Sequence, residues 1–308
     1  MTEASSRDRT KRDINGILLL DKPRDISSNG ALQQVKRLFG ARKAGHTGNL
    51  DVLATGLLPI CFGEATKVCG FLLDADKRYA SEFQLGITTS TGDSEGEVIR
   101  RGSLEGVDCA AITLALARFH GAIEQVPPMY SALKRDGQPL YKLARQGIEV
   151  ERKPRKVVIS QIDMTGFTGD RLAIDVSCSK GTYIRTLAED IGDVLGCGAH
   201  VHSLRRLGAG PFTIDDSLTL EQIREIADSD DPDAELDKLL LATDTALMDL
   251  PDVHLTDDSA FDVRRGQAVR VADAPRSGLV RLYLSGSQFI GVGAVLDDGR
   301  IAPRRLMR

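Results

Sequence analysis

Residues 14–20 form a short apolar run closed by Asp21-Lys22-Pro23, and a helix-patterned stretch follows at once. A proline brings no N–H to a ladder, so the run reads as a buried strand that ends in a turn. Ser27, Ser28 and Asn29 offer caps for a helix through Ala31, Leu32, Val35, Leu38 and Phe39, and Gly40 ends it. A buried strand feeding an amphipathic helix points to helices layered on a sheet, an α/β or α+β body.

The same reading places strands at 79–87 and 97–100, around a turn rich in glycine and aspartate (Gly92, Asp93, Gly96). Residues 156–167 and 171–177 alternate as a hairpin across Thr168-Gly169-Asp170. Helical periodicity marks 109–119, 183–195, 218–227 and 236–248, with the acidic, proline-bearing stretch 228–233 separating the last two. Residues 1–12 are polar and mixed in charge and read as a loose arm. Turn signals at Gly266, Gly278, Gly286 and Asp298-Gly299 make the final stretch, about 55 residues, a small all-β tail. With 42% hydrophobic and 27% charged residues, a 308-residue chain can bury a core, and one main domain with a smaller appendage suits that length.

Net charge is −4, which at face value disfavours a polyanion partner, but the charge is unevenly spread. Residues 228–258 hold eleven acids against Lys238 alone, a net of −10, so the rest of the chain sums to +6. Residues 134–156 carry a net of +5, and residues 259–308 carry nine arginines, four aspartates and no lysine, again +5. A solvated surface explains one such run; two separate basic regions point to a phosphate backbone. No apolar run approaches the roughly 20 residues that cross a bilayer, and the first residues lack the apolar stretch of a secretory signal, so a cytoplasmic protein is expected. The five cysteines are widely spaced without a Cys-x-x-Cys pair, which supports neither a disulfide framework nor a zinc ribbon. Cys197, His200 and His202 cluster locally but lack a fourth ligand, so no metal is assigned there.

The most unusual segment is 44–60. Asp51 sits between apolar residues on both sides, behind the glycine loop Gly45-His46-Thr47-Gly48-Asn49. Burying that charge costs several kcal/mol unless a cation pairs with it. A second unusual segment, 178–187, offers the cation where a strand gives way to a helix: Arg185 lies among apolar neighbours. A bidentate guanidinium would keep Asp51 ionised and aimed, as a carboxylate nucleophile requires, and a plain structural salt bridge is the alternative.

In order along the chain, six segments resemble the TruB family of bacterial tRNA pseudouridine 55 synthases: Asp13-Ile14-Asn15-Gly16 through Asp21-Lys22-Pro23, the loop around His46 and Asp51, Lys77-Arg78-Tyr79 with Leu85-Gly86, Pro128 to Lys134, Cys178 to Leu187, and Gly196-Cys197-Gly198-Ala199-His200-Val201 to Leu204-Arg205-Arg206. Two positions depart from the family loop, Asn49 and Val52. The resemblance implies a pseudouridine synthase fold on a mixed sheet over 13–250, with an RNA-contacting insertion at about 127–156 and a PUA-type RNA-binding domain over 251–308. It assigns Asp51 as the catalytic aspartate, Arg185 as its salt-bridge partner and Tyr79 as the aromatic that packs on the target base. His46, Tyr183 and Leu204 fall on other substrate-contacting positions, with Lys22 a further contributor.

The implied reaction detaches uracil from ribose, turns it and rejoins it through C5, on a base flipped out of its stack. Whether Asp51 attacks C1′, attacks C6 or abstracts a ribose proton is not readable from sequence. No cofactor or metal is called for, and the chain has neither a dinucleotide fingerprint nor a P-loop. The expected partner is the T-arm of tRNA, bound by a monomer that needs no protein partner. A non-catalytic RNA-binding protein, an RNA-guided synthase of the dyskerin type and a small-molecule isomerase are the rival readings; the joint presence of Asp51 and Arg185, the bacterial loop sequences and the basic regions weigh against them in turn.

Overall fold

The computed structural model describes residues 11–135, 137–284 and 287–307. Its main sheet has ten strands, and eight of them run in the order Leu218–Thr219, Gly16–Lys22, Thr55–Phe62, Ala199–Ala209, Lys77–Leu85, Arg171–Cys178, Arg155–Thr168, Gly121–Gln125. Ala44–His46 pairs with Thr55–Phe62, and Phe212–Thr213 with Ala199–Ala209. The sheet is mixed: Ala199–Ala209 runs parallel to Thr55–Phe62 and antiparallel to Lys77–Leu85.

The first strand is apolar without alternation because both its faces are covered. Leu18 and Leu20 pack with Ala31, Leu32 and Val35 of the helix Ser28–Leu38, while Ile17 and Leu19 join a cluster with Ala65, Val68 and Leu72. The Ser27 side chain accepts the hydrogen bond from Gly30 N, which caps that helix. A larger core lies under the helices Cys109–Ala117 and Ile184–Val194, where Phe83, Ile174 and Val176 meet Ile112, Leu187 and Ile191.

Several expectations about the elements change. Thr55–Phe62, Gly121–Gln125 and Ala199–Ala209 are strands that the sequence pattern did not announce. Pro59 conceals the first of these; its carbonyl accepts from Thr47 N at 3.1 Å just beyond the end of the Ala44–His46 partner, so the missing N–H faces a position where no ladder continues. The helix expected over 236–248 is instead a helix at Pro232–Asp237 and a 3-10 turn at Thr243–Leu247. Between them Leu241 exchanges both backbone hydrogen bonds with Ile17, at 2.8 and 2.9 Å, which a helix interior forbids. Pro232 opens a helix rather than a linker, because the first turn has no use for its N–H and Asp231 caps Ala234 N. The arm expected at 1–12 lies outside the described residues save for 11 and 12, and Arg12 is anchored to Asp237 at 2.5 Å and to Asp233 at 3.5 Å.

The tail is not all-β. Its four-stranded sheet, in the order Asp252–Leu255, Leu279–Leu284, Gln288–Val295, Ile301–Leu306, is packed against the helix Asp257–Arg264. Thr256 caps Ser259 N, Asp257 and Asp258 favour the first turn, and Ala260 and Val263 are buried. Val292, Phe289, Leu279 and Met307 of the tail join Ala246, Leu247 and Leu72 of the body in one apolar cluster.

Candidate active site

The Asp51 loop spans the gap between two strands, Ala44–His46 and Thr55–Phe62, that pair with each other. Three ties fix it. Ser28 Oγ accepts from Leu50 N at 2.8 Å and donates to Leu50 O at 3.1 Å; Asp25 N donates to Val52 O at 2.9 Å; and the Arg206 guanidinium donates to Gly48 O at 3.3 Å and Asn49 O at 3.5 Å. The two departures from the family loop thus contribute backbone carbonyls, and the Val52 side chain is exposed. Gly56 lets the loop close against the next strand: at φ +103°, a Cβ there would stand 2.3 Å from Arg206 O.

Arg185 enters from the first turn of the helix Ile184–Val194. Its Nε lies 3.0 Å from Asp51 Oδ2, and its Nη2 donates to Asp51 Oδ1 at 3.3 Å, so the pair is bidentate. Nη2 also donates to Tyr130 O at 2.8 Å and Nη1 to Thr91 O at 3.1 Å, with Asp93 Oδ2 at 3.6 Å. The guanidinium is enclosed, its side chain 6% exposed, while Asp51 remains 41% exposed. Burial pushes the Asp51 carboxyl above the ordinary carboxylate range; Arg185 and Lys22 pull it back, and Asp93 reinforces the rise.

Lys22 is fully buried, with Nζ donating to Pro23 O at 2.8 Å and Ile26 O at 2.7 Å. Burial brings it down to about 8, and the field of Asp51 opposes that drop. Tyr79 pairs across the ladder with Arg206, and Ser81 two residues on pairs with Leu204, so Tyr79, Leu204 and Arg206 share one face. Burial raises the Tyr79 phenol, and the Arg206 guanidinium against its hydroxyl works the other way. His46 closes the short strand before the loop; its Nδ1 is buried without a partner, and burial, then Arg206, lower its basicity. Tyr183 immediately precedes the Arg185 helix, and Gln125 fixes its backbone through Tyr183 N at 3.0 Å.

Of the seven sequence-derived residues, Arg185 grips Asp51; Lys22, Tyr79 and Tyr183 lie within the field of Asp51, His46 within that of Arg206, and Leu204 on the sheet face that carries Tyr79. Sequence reasoning missed two residues. Asp93 lay in a turn already crowded with polar residues, where nothing set it apart. Arg206, 1% exposed, forms no ion pair among the described residues, and its run Arg205-Arg206 reads as surface. Arg205 instead pairs with Asp21 at 2.6 and 3.0 Å. Cys197, His200 and His202 do not converge: His200 Nδ1 meets Ile87 O at 2.9 Å, His202 faces Glu82, and Cys197 is buried against Gly192. Within the insertion, the hairpin Lys134–Arg135 with Gln138–Pro139 leads into the helix Leu140–Ala144.

A mixed sheet that presents an open carboxylate on an enclosed arginine, beside a partly buried tyrosine, is the arrangement of a pseudouridine synthase. The family models agree: residues 36–184 match the TruB family pseudouridylate synthase N-terminal domain, 185–248 the tRNA pseudouridylate synthase B C-terminal domain, and 251–307 the pseudouridine synthase II TruB C-terminal region. A tRNA pseudouridine synthase B of Pseudomonas putida (strain GB-1) is 54% identical over 97% of this chain and 98% of its own length. One from Nitrosococcus oceani is 56% identical over 96% of each. Among solved structures, a chain of a Cbf5-Nop10-Gar1 complex superposes with a TM-score of 0.74 at 26% identity, covering 95% of this chain and 84% of that one. This chain belongs to the TruB family.

Proposed function

We propose that the chain isomerises uridine 55 in the T-loop of tRNA to pseudouridine, without a cofactor, using Asp51 on a uridine flipped out of its stack. The observation that supports this most is the Asp51–Arg185 pair itself, with the cation closed in and the carboxylate left partly open. The enclosed guanidinium is fixed by the carbonyls of Thr91 and Tyr130, so the carboxylate that it holds stays available to a ligand.

Each residue then has a task. Arg185 holds the carboxylate by both oxygens, which leaves it few orientations and keeps it charged. Attack at C1′, attack at C6 and removal of a ribose proton all begin from that ionised carboxylate. The Tyr79 ring supports the base face, and its hydroxyl is placed to assist loss of the C5 proton. His46 fills the space that the base vacates, and Tyr183 and Leu204 line the pocket. The basic insertion and the exposed arginines of the tail hold the phosphate backbone around the T-arm. The chain acts as a cytoplasmic monomer without a guide RNA; the relatives above 50% identity are tRNA enzymes by name, which supports this over the guided class.

The test is to incubate the protein with an unmodified tRNA transcript and map pseudouridine by carbodiimide-dependent primer extension. One stop is expected, at position 55. Asp51→Asn keeps the shape and removes the charge; tRNA binding should survive and the stop should vanish. A variant retaining more than about a hundredth of the wild-type rate overturns the role of Asp51.

A further inference from the structure

Two cysteines outside the catalytic cleft are brought together by the fold. Cys61 lies in the strand Thr55–Phe62 and pairs across the ladder with Gly45, so both positions face the same side of the sheet. Gly45 has no side chain, and a Cβ there would stand 3.9 Å from Cys69 Sγ. The space left open at position 45 lets the Cys69 thiol, at the start of the helix Cys69–Asp74, lie over the ladder beside Cys61. Cys69 packs against the same apolar cluster that holds Cys61.

The pair is unequal. Cys61 is fully buried and Cys69 is half-buried. The hydrogen bond from Cys61 and, more weakly, the Lys43 ammonium favour the Cys69 thiolate against the cost of its burial, while the bond to Cys69 and burial push the Cys61 thiol up. The thiolate is the nucleophile in thiol oxidation, so the reactive member is the one that solvent reaches. The other cysteines differ: Cys178 and Cys197 are buried, and Cys109 is exposed on the helix Cys109–Ala117.

We propose that Cys61 and Cys69 are a peroxide-reactive dithiol that closes to a disulfide between the strand Thr55–Phe62 and the helix Cys69–Asp74. The Cys69 thiolate attacks one oxygen of hydrogen peroxide, the O–O bond breaks, and hydroxide leaves, giving a sulfenic acid. The Cys61 sulfur then attacks the Cys69 sulfur, an S–S bond forms, the S–O bond breaks, and the Cys61 proton leaves with the hydroxyl as water. Two thiols lose two electrons and the peroxide is reduced to two waters. Closure brings the two Cβ atoms to about 3.5–4.5 Å apart.

The test uses the full chain carrying Cys109→Ser, which leaves four of the five cysteines. It is treated with hydrogen peroxide, quenched with catalase, unfolded and alkylated with N-ethylmaleimide; the intact mass counts free thiols, and peptide mapping locates linkages. The expected result is two labelled thiols, Cys178 and Cys197, a linked peptide containing Cys61 and Cys69, and four labels again after dithiothreitol. Adding Cys69→Ala should remove the linkage and leave Cys61 labelled. Alkylation of both Cys61 and Cys69 after peroxide overturns the proposal, as does oxidation of Cys69 to a sulfinic acid with Cys61 still free. The readout is the thiol count, so it stands or falls independently of the tRNA activity.

Discussion

Asp93 Oδ2 lies 3.6 Å from Arg185 Nη1, on the edge of the guanidinium opposite the one that grips Asp51. Arg185 is thus clamped between two carboxylates, one buried and one partly open. The clamp aims Asp51 and modulates an acidity that burial chiefly sets, Arg185 lowering the carboxyl and Asp93 raising it. Arg185→Lys keeps the charge but cannot serve both edges, so tRNA binding should persist while the single-turnover rate falls by about 100-fold, the scale of a 1 Å misplacement. The acid limb of the rate profile should begin above the ordinary carboxylate range, because the Asp51 carboxyl is raised and turnover needs it ionised. Asp93→Asn removes one cause of that rise and should move the limb to lower pH. A limb that stays in place, measured by single turnover across pH, argues against the coupling.

Tyr79→Phe separates stacking from proton transfer. The ring can still hold the base, worth about 1–3 kcal/mol, so binding should change little. The hydroxyl, set against Arg206 across the ladder, is gone, and most turnover should go with it. Near-normal single-turnover rates would reduce Tyr79 to a platform and hand the final proton to another group.

Lys22 and Lys77 are both buried, and burial brings each from 10.5 down to about 8. Between those pH values the unfolded chain binds more protons than the folded one, so stability should rise with pH across the window. Lys22→Met should remove about 2 kcal/mol of the gain between pH 7.5 and 9.5, read from urea unfolding at the two pH values. An unchanged gain in the variant contradicts the buried-lysine account.

Deleting the tail would strip cover from Leu247 and Leu72, so a truncated chain tests packing as much as RNA binding. Substitution is cleaner. Arg264, Arg265, Arg304 and Arg305 are exposed, and changing them to Gln should weaken binding of whole tRNA, flattening its salt slope by up to roughly 0.9 per lost phosphate contact. Binding of an isolated T-arm stem-loop should be nearly unchanged. Equal losses for both RNAs would place these arginines at the T-arm instead.

What was legible in the sequence was contrast. Asp51 and Arg185 each interrupt an apolar segment, and a lone charge in such a place announces itself. Asp93 sits among Thr91, Ser94 and Glu95, where another polar residue is unremarkable, and only the fold turns its carboxylate inward. Arg206 was hidden by its twin: Arg205 faces the opposite side of the same strand, and period-two alternation buries one and exposes the other. The acidic stretch concealed core residues, because Leu236 serves a helix and Leu247 a 3-10 turn, with the extended pairing of Leu241 between them, and no single period links them. The shared apolar cluster under the tail also escaped notice, since it joins residues more than two hundred positions apart.

The strand Ala199–Ala209 lies between Thr55–Phe62 and Lys77–Leu85, although it is made more than a hundred residues after either. At about 5–20 residues per second of synthesis, the nascent chain waits on the order of ten seconds with two unpaired edges facing an unfilled slot. Arg206 and the carbonyl ties that fix the Asp51 loop arrive with that late strand. The ribosome-bound chain therefore lacks one of the three ties on the Asp51 loop until that strand inserts, and during that interval its open edges are the natural target for a chaperone.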